Sequence, residues 1–264
     1  MTDAKPNSTY FRALFEGAPR FFLREPSGGA RLMTAAPWLG GSPEGSVLDR
    51  ASASRLATLC PGAPSKIIGI GRNYRKHAAE LGNEVPSEPL MFFKPPSSLL
   101  GPGGRVQLPP ESSRVDFEAE VAVVIGTRCR RVSSSSALGC VFGYALACDL
   151  TARDLQKSDR QWTRAKGFDG FCPLGPEVVS GVDPSNIHLR LTQNGALRQD
   201  GTTADMIYPV AELVAYVSAS MTLEPGDLIL TGTPEGVGPL APGDDVRISA
   251  EGFSELRFSV SNET

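Results

Sequence analysis

The sequence predicts a β-rich α+β fold, and three observations carry that reading. Apolar segments of strand length far outnumber helical ones across the 264 residues, and their spacing is short and irregular. No internal repeat and no regular alternation of strand and helix is present, which argues against a doubly wound sheet. Runs rich in β-branched residues, such as "VAVVIG", are separated by turn-forming Gly, Pro and Ser clusters.

Taken in order, residues 9 to 60 read as short β segments, a small N-terminal β domain spanning 1–60. "TYFRALF" and "RFFLRE" are strand-like, and "EPSGGARL" supplies a turn. "PWLGGSPEG" reads as loop, and a short helix is expected from Val47 to Leu59, ending before "CPGAP". The body, 61–264, opens on the strand "KIIGIG". "NYRKHAAELG" reads as a short helix closed by Gly82. "PLMFFK" is a strand running into a Pro- and Gly-rich loop. "VFGYALACD" is an apolar strand ending at Asp149, and "TARDLQKSDRQW" is helical, with Thr151 at its N-cap. "RAKGFDGFCPLGP" places Lys166 before a Gly- and Pro-punctuated loop. "IHLRLTQNG" alternates like a half-exposed strand and turns at Asn194-Gly195. "PVAELVAYVSASM" is an amphipathic helix with Pro209 near its start. "GDLILTGTPEGVG" is a strand opening into a Gly-rich loop, and "DDVRISAEGFSELRFSV" is a terminal hairpin.

Composition narrows the function. Apolar content of 41% with 21% charged residues is that of a soluble globular chain, and no run of eighteen apolar residues predicts a membrane span. A net charge of −3 gives no electrostatic footprint for nucleic acid or an anionic membrane. "MTDAKPNSTYFRALF" has no signal-peptide apolar core. The five cysteines include no C-x-x-C pair, which predicts reduced thiols and a cytoplasmic setting. Cys148, within an apolar run, reads as buried filler. Two histidines are too few for zinc sites built on several imidazoles.

The stretch "SRVDFEAEVAVVIG" poses a chemical problem. Asp116, Glu118 and Glu120 alternate at the entrance to a greasy strand, so they share one face. Like charges repel there, and burying them is costly. A hard divalent cation with oxygen ligands would offset that cost. The competing reading is an edge strand whose charges resist aggregation. Asp149 ends a second apolar strand, where it either caps the next helix or joins the same cation. Asp116 is expected to pair with Arg114 or Arg153. His77 and Glu80 are three apart on one helical face, the spacing of a general base held by a carboxylate. The competing reading pairs Glu80 with Lys76 on a solvated surface. His188 alternates with apolar residues and should face solvent. Lys94 and Lys166 flank Pro- or Gly-rich loops, a weaker hint of anion binding.

"IGIGRNYRKHAAELG", "FFKPPSSLLGPGG", "VDFEAEVAVVIG", "GYALACDLTARDLQ", "RAKGFDGFCPLGP" and "LILTGTPEGVG", in this order, resemble the fumarylacetoacetate hydrolase family from about Lys66 to the C-terminus. The resemblance implies a mixed β-sandwich roll with a small N-terminal β segment, a homodimer, and a Mg²⁺ or Mn²⁺ site for a 2-oxo or enol carboxylate. It implies Glu118, Glu120 and Asp149 as metal ligands. His77 and Glu80 match the lid-helix dyad that activates water in the family's acylpyruvate hydrolases. Lys166 matches the lysine beside the metal, Gln156 a nearby polar contact, and Arg72, Tyr74 and Thr233 the motifs that line the substrate pocket. Hydrolases, isomerases and decarboxylases share this set. The function expected is hydrolytic C–C cleavage of a small acylpyruvate, with oxaloacetate decarboxylation or hydroxy-diene-dioate isomerisation on the same site as alternatives. A non-catalytic 2-oxo acid binder is the remaining class.

Overall fold

In the computed structural model, which describes residues 7–263, the acidic stretch forms two strands rather than one. Val115–Phe117 and Ala119–Ile125 are broken at Glu118. Ala119 pairs with Cys148 and Glu120 with Ala147 on the antiparallel strand Val141–Cys148. The Asp149 N–H extends this ladder to the Glu118 carbonyl at 2.8 Å. Register therefore sets Asp149 beside Glu118, although thirty-odd residues of chain separate them.

Ala119–Ile125 lies inside an eleven-stranded mixed sheet. On one side it pairs with Leu228–Leu230, which runs parallel to Ile67–Gly71, and Leu90–Lys94 closes that edge. On the other side Val141–Cys148 leads to Glu177–Ser180 and then to the N-terminal strands. A separate five-stranded sheet includes His188–Gln193, Asp245–Ala250 and Leu256–Asn262. Val121, Val123 and Ile125 point into the core shared with Leu191, Ile248 and Phe258 of that second sheet. Ala122 and Val124 point the other way, among Ala145, Leu174 and Leu230. Burial on both faces explains the unbroken apolar run, because a strand with one wet face would alternate. Each buried Val or Ile contributes on the order of 1.5–3 kcal/mol of transfer free energy.

The helix Val210–Ser220 forms as expected and buries Val210, Leu213, Val214 and Val217. Asn194 (φ 54°) and Gly195 (φ 81°) make the tight turn joining His188–Gln193 to Ala196–Thr202, where left-handed backbone at both centres matches the strand twist. The strand-rich α+β expectation holds.

Several local expectations do not. The segment 37–45 is not loop throughout: Pro37–Leu39 is a 3₁₀ turn, and a strand, Pro43–Leu48, begins within it. The helix expected over 47–59 shrinks to Arg50–Ala53, capped by Asp49, which accepts from the Ser52 N–H at 2.7 Å. Ala57–Leu59 instead pairs with Ser8–Phe15. Pairing with a neighbouring strand outweighs the weak helical preference of a Ser- and Ala-rich segment. Thr151 caps nothing; it pairs with Asp116 in a short ladder, and its hydroxyl donates to the Asp149 carbonyl at 3.1 Å. A short helix not read from the sequence, Thr163–Gly167, carries Lys166 to the start of the Gly- and Pro-punctuated loop. Ser8–Phe15 pairs with Glu177–Ser180, so the N-terminal strands prolong the large sheet while keeping a small apolar cluster around Phe11 and Phe22.

Candidate active site

Glu118, Glu120 and Asp149 are buried, and one oxygen from each lies within 4.8 Å of the others. The break at Glu118 and the register opposite Asp149 bring them together. Asp116, at the same strand entry, is directed elsewhere. It accepts from Arg114 Nε at 2.8 Å and Arg153 Nε at 2.9 Å, so both expected partners hold it.

The cations around the cluster are unevenly shared. Lys166 Nζ donates to Glu118 Oε2 at 2.8 Å and Asp149 Oδ2 at 2.5 Å. Arg153 lies 2.6 Å from Glu118 Oε1, and Lys94 Nζ 2.7 Å from Asp149 Oδ1. The Lys94 contact is an ion pair without hydrogen-bond alignment, which leaves Asp149 Oδ1 buried and without a hydrogen-bond partner. Among the described residues no cation lies at ion-pair distance from Glu120, and its Oε2 accepts from the Gly232 N–H at 2.6 Å.

These surroundings set the protonation states. Burial alone would raise the Glu118 carboxyl, but Lys166 and Arg153 outweigh it and hold it well below the usual carboxylate range. Burial, then Asp149 and Glu118, push Glu120 well above that range. Burial disfavours the Lys166 ammonium, yet Asp149 and Glu118 raise it, so it stays charged. A buried carboxyl with no cation at ion-pair distance, pressed against Glu118 and Asp149, is the electrostatic defect that a hard cation repairs. The donor set, three carboxylates and no sulfur or imidazole, fits a divalent oxygen-loving ion.

His77 sits on the helix Arg75–Glu80, which Gly82 (φ 66°) closes as expected. Its ring is buried, with Nδ1 3.4 Å from Glu80 Oε2. Burial lowers the His77 pKa, an effect that Glu118 only partly offsets, so the neutral imidazole is favoured. Glu80 also accepts from the Gly236 N–H at 3.1 Å, fastening this helix to the Gly-rich loop. Lys76 pairs with Glu235 instead of Glu80. The surface-pair alternative for Glu80 therefore does not hold.

His77, Glu118, Glu120, Lys166, Arg72, Gln156 and Thr233 line one cavity of about 310 Å³, whereas Glu80 and Asp149 of the expected set are not part of its lining. Gln156 Oε1 accepts from Arg153 at 3.0 Å. The Thr233 hydroxyl donates to the Ala119 carbonyl at 2.8 Å, tying the Gly-rich loop to the acidic strand. Tyr74 stands outside this lining. It is buried at the start of the helix Arg75–Glu80 and bridges Met206. His188 is exposed and pairs with Asp200, as its alternation implied. Cys148 is buried, and burial raises its thiol well above the usual range, consistent with filler.

The Fumarylacetoacetate (FAA) hydrolase C-terminal profile matches residues 66–261. The chain belongs to the fumarylacetoacetate hydrolase family. Among its relatives, the mitochondrial oxaloacetate tautomerase FAHD1 of Arabidopsis thaliana is 46% identical over 202 residues, 74% of this chain and 91% of that protein. The mitochondrial oxaloacetate decarboxylase of Dictyostelium discoideum is 44% identical over 203 residues, 74% of this chain and 93% of that protein. A crystal structure of 2-hydroxyhepta-2,4-diene-1,7-dioate isomerase from Mycobacterium marinum superposes with a TM-score of 0.88 at 39% identity, covering 97% of this chain and 99% of that one. As a member of the fumarylacetoacetate hydrolase family, the chain shares its fold and its enzymatic lineage. No helix among the described residues is long and apolar enough to cross a membrane.

Two contributors were underweighted in the sequence. Lys94 is almost fully buried; besides its ion pair with Asp149, its ammonium binds the carbonyl of Lys166 and so holds the end of the short helix carrying that residue. Arg153, read only as a partner for Asp116, also reaches Glu118. A lysine directly before two prolines in an apolar strand was the available signal for the first. Nothing in the spacing marked the second.

Proposed function

We propose that the chain is a divalent-metal-dependent enzyme that moves a proton at the carbon next to the 2-oxo group of small 2-oxo acids, interconverting keto and enol forms. Magnesium or manganese held by Glu118, Glu120 and Asp149 would supply Lewis acidity for the 2-oxo and carboxylate oxygens. The neutral imidazole of His77 takes the proton from carbon and returns it. Glu80 accepts from Nδ1–H, which leaves Nε2 as the basic atom. The Lys166 ammonium stabilises the enolate oxygen, and Arg153 holds Gln156 at the cavity wall. The observation that carries this reading is a neutral imidazole in the same cavity as a charged, buried lysine and an under-compensated carboxylate cluster. The tautomerase name of the Arabidopsis thaliana relative and the isomerase name of the structural neighbour support the same chemistry, whereas the Dictyostelium discoideum relative is named a decarboxylase.

Hydrolytic cleavage of an acylpyruvate is the second reading, favoured by the Glu80-oriented His77, which suits activation of water. Loss of CO₂ from oxaloacetate would use the enolate-stabilising groups without that water. Ultraviolet absorbance of enol forms, CO₂ release and pyruvate release, measured in parallel on oxaloacetate and a series of acylpyruvates, separate the three. Tautomerisation exceeding both cleavage rates is expected. Pyruvate release from an acylpyruvate outpacing tautomerisation would establish the second reading, and inertness towards the whole panel would remove both. Five free cysteines favour a reducing compartment. A homodimer is part of this proposal through family membership, and light scattering returning the mass of a single chain at micromolar concentration would contradict it.

The acidic limb of the kcat/KM profile should lie below the ordinary histidine pKa of ~6.5. His77 is inactive as a base when protonated, so the rate falls as pH falls through its pKa, and burial depresses that pKa. A limb above that value, or one persisting unchanged in His77→Gln, would assign the ionisation to another group.

A further inference from the structure

The strand Ile67–Gly71 carries glycine at alternate positions, Gly69 and Gly71, so both lie on one face. Ile68 and Ile70, on the other face, enter the core. Each glycine makes room for an aromatic ring. Gly69 pairs with Phe92 of the edge strand Leu90–Lys94. A Cβ added at Gly69 would lie 2.1 Å from Phe92 Cζ, 2.4 Å from Cε2 and 2.7 Å from Cε1, so the ring lies across the glycine. A Cβ at Gly71 would lie 2.9 Å from Trp162 Cζ3. The Phe92 and Trp162 rings meet edge-on, with centroids 5.4 Å apart. The "IGIG" pattern thus seats two rings against the sheet edge.

Lys166 rests on this platform. Its Nζ stands over the Phe92 ring, 4.8 Å from the centroid. Two of the three ammonium donors go to Glu118 and Asp149, and among the described residues no acceptor takes the third. The π face carries the negative end of the ring quadrupole, and its attraction for a cation grows as water is excluded. Phe92 also walls a second hollow of about 500 Å³ that Lys166 does not line, while Lys166 lines the active-site cavity and Phe92 does not. The ring therefore separates the ammonium from that hollow. Two residues on, and on the same face of the edge strand, Lys94 binds the Lys166 carbonyl. The edge strand so holds Lys166 at both its backbone and its charged end.

We propose that Phe92 is a positioning residue: its π face, seated on Gly69, keeps the Lys166 ammonium turned to the active-site cavity and shields it from water in the second hollow. This deepens the proposed function and rests on its placement of Lys166 at the enolate oxygen.

The test changes the charge on the ring face while nearly keeping its shape. Phe92 is replaced, by nonsense suppression, with phenylalanines carrying one, two and three ring fluorines, which progressively weaken the quadrupole. Two quantities are read with saturating Mn²⁺. One is kcat for deuterium exchange into the oxaloacetate methylene. The other is the calorimetric Kd for oxalate, a planar dianion with the shape of a pyruvate enolate, which requires no turnover. Both should worsen stepwise, reaching about threefold to tenfold at three fluorines, with KM for oxaloacetate within about twofold of the parent. Phe92→Leu, apolar without a π face, should fall at or below the end of the series. Phe93 lines the same hollow but is 50% exposed and faces away from Lys166 in the strand alternation, so trifluorination there should change neither quantity. Flat values across the Phe92 series, or the same trend from fluorinating Phe93, overturn the proposal, since a ring that only fills space is indifferent to its face charge. Failure of the proposed reaction shows separately, as a graded oxalate Kd in a protein whose parent form does not exchange the proton.

Discussion

Glu120→Gln is expected to abolish the stabilisation conferred by a divalent metal while leaving the metal-free protein at least as stable as the parent. The two halves of this result have one cause. Glu118 and Asp149 each have an ammonium or guanidinium within 3 Å, whereas Glu120 has only the Gly232 N–H. A glutamine oxygen can accept that same hydrogen bond, so the substitution removes a buried carboxyl whose ionisation burial and its acidic neighbours oppose, and little else. The parent should gain about 2.7 kcal/mol at a metal concentration a hundredfold above Kd, which corresponds to roughly 5–10 °C in melting temperature. The variant should show none of this rise and no activity. Asp149→Ala makes the contrast. It also loses the metal, but it takes from Lys94 its ion-pair partner, leaves Lys166 with Glu118 alone, and should cost about 3–5 kcal/mol without metal. Calorimetric melts with chelator and with excess Mg²⁺ or Mn²⁺ read both quantities. A Glu120→Gln protein that keeps the full metal-induced rise would place the ion elsewhere.

That contrast marks how far the sequence could be read. The alternation of Asp116, Glu118 and Glu120 against an apolar strand announced a charge problem, and the lone Asp149 at a strand end supplied another carboxylate. Their meeting depends on antiparallel register, which no local pattern encodes. The division of labour among the cations was equally hidden. Lys94 and Lys166 come from an edge strand and a five-residue helix, and the helix forms because Ala165 and Lys166 are buried against the sheet, not because its sequence favours helix. His77 and Glu80 were legible because helix spacing alone makes them neighbours. The N-terminal misassignments share the opposite cause. Residues 47 to 59 carry weak local preferences, and pairing with Ser8–Phe15 decided their structure.

His77→Ala is expected to slow proton removal from carbon by a factor of about 10²–10⁴, the usual worth of a positioned general base. Deuterium exchange into the methylene group of oxaloacetate, followed by NMR against the rate without enzyme, reads this step whether or not a bond to carbon later breaks. The metal-induced rise in melting temperature should survive, because His77 shares no hydrogen bond with the carboxylate cluster and Lys166 still supports it. A variant that lost both would have lost the site rather than the base. Glu80→Gln should cost less in exchange rate, since the imidazole remains. Glu80→Ala, which also deletes the acceptor of the Gly236 N–H and so frees the helix Arg75–Glu80 from the loop after Leu228–Leu230, should in addition raise KM. A split of this kind, a rate effect for His77 and a mixed effect for Glu80, separates a base with its holder from two residues that merely pack. Exchange at the parental rate in His77→Ala would mean that another group handles the proton. Lys166 would not be that group, because Asp149 and Glu118 keep its ammonium charged and a charged ammonium has no lone pair to accept one.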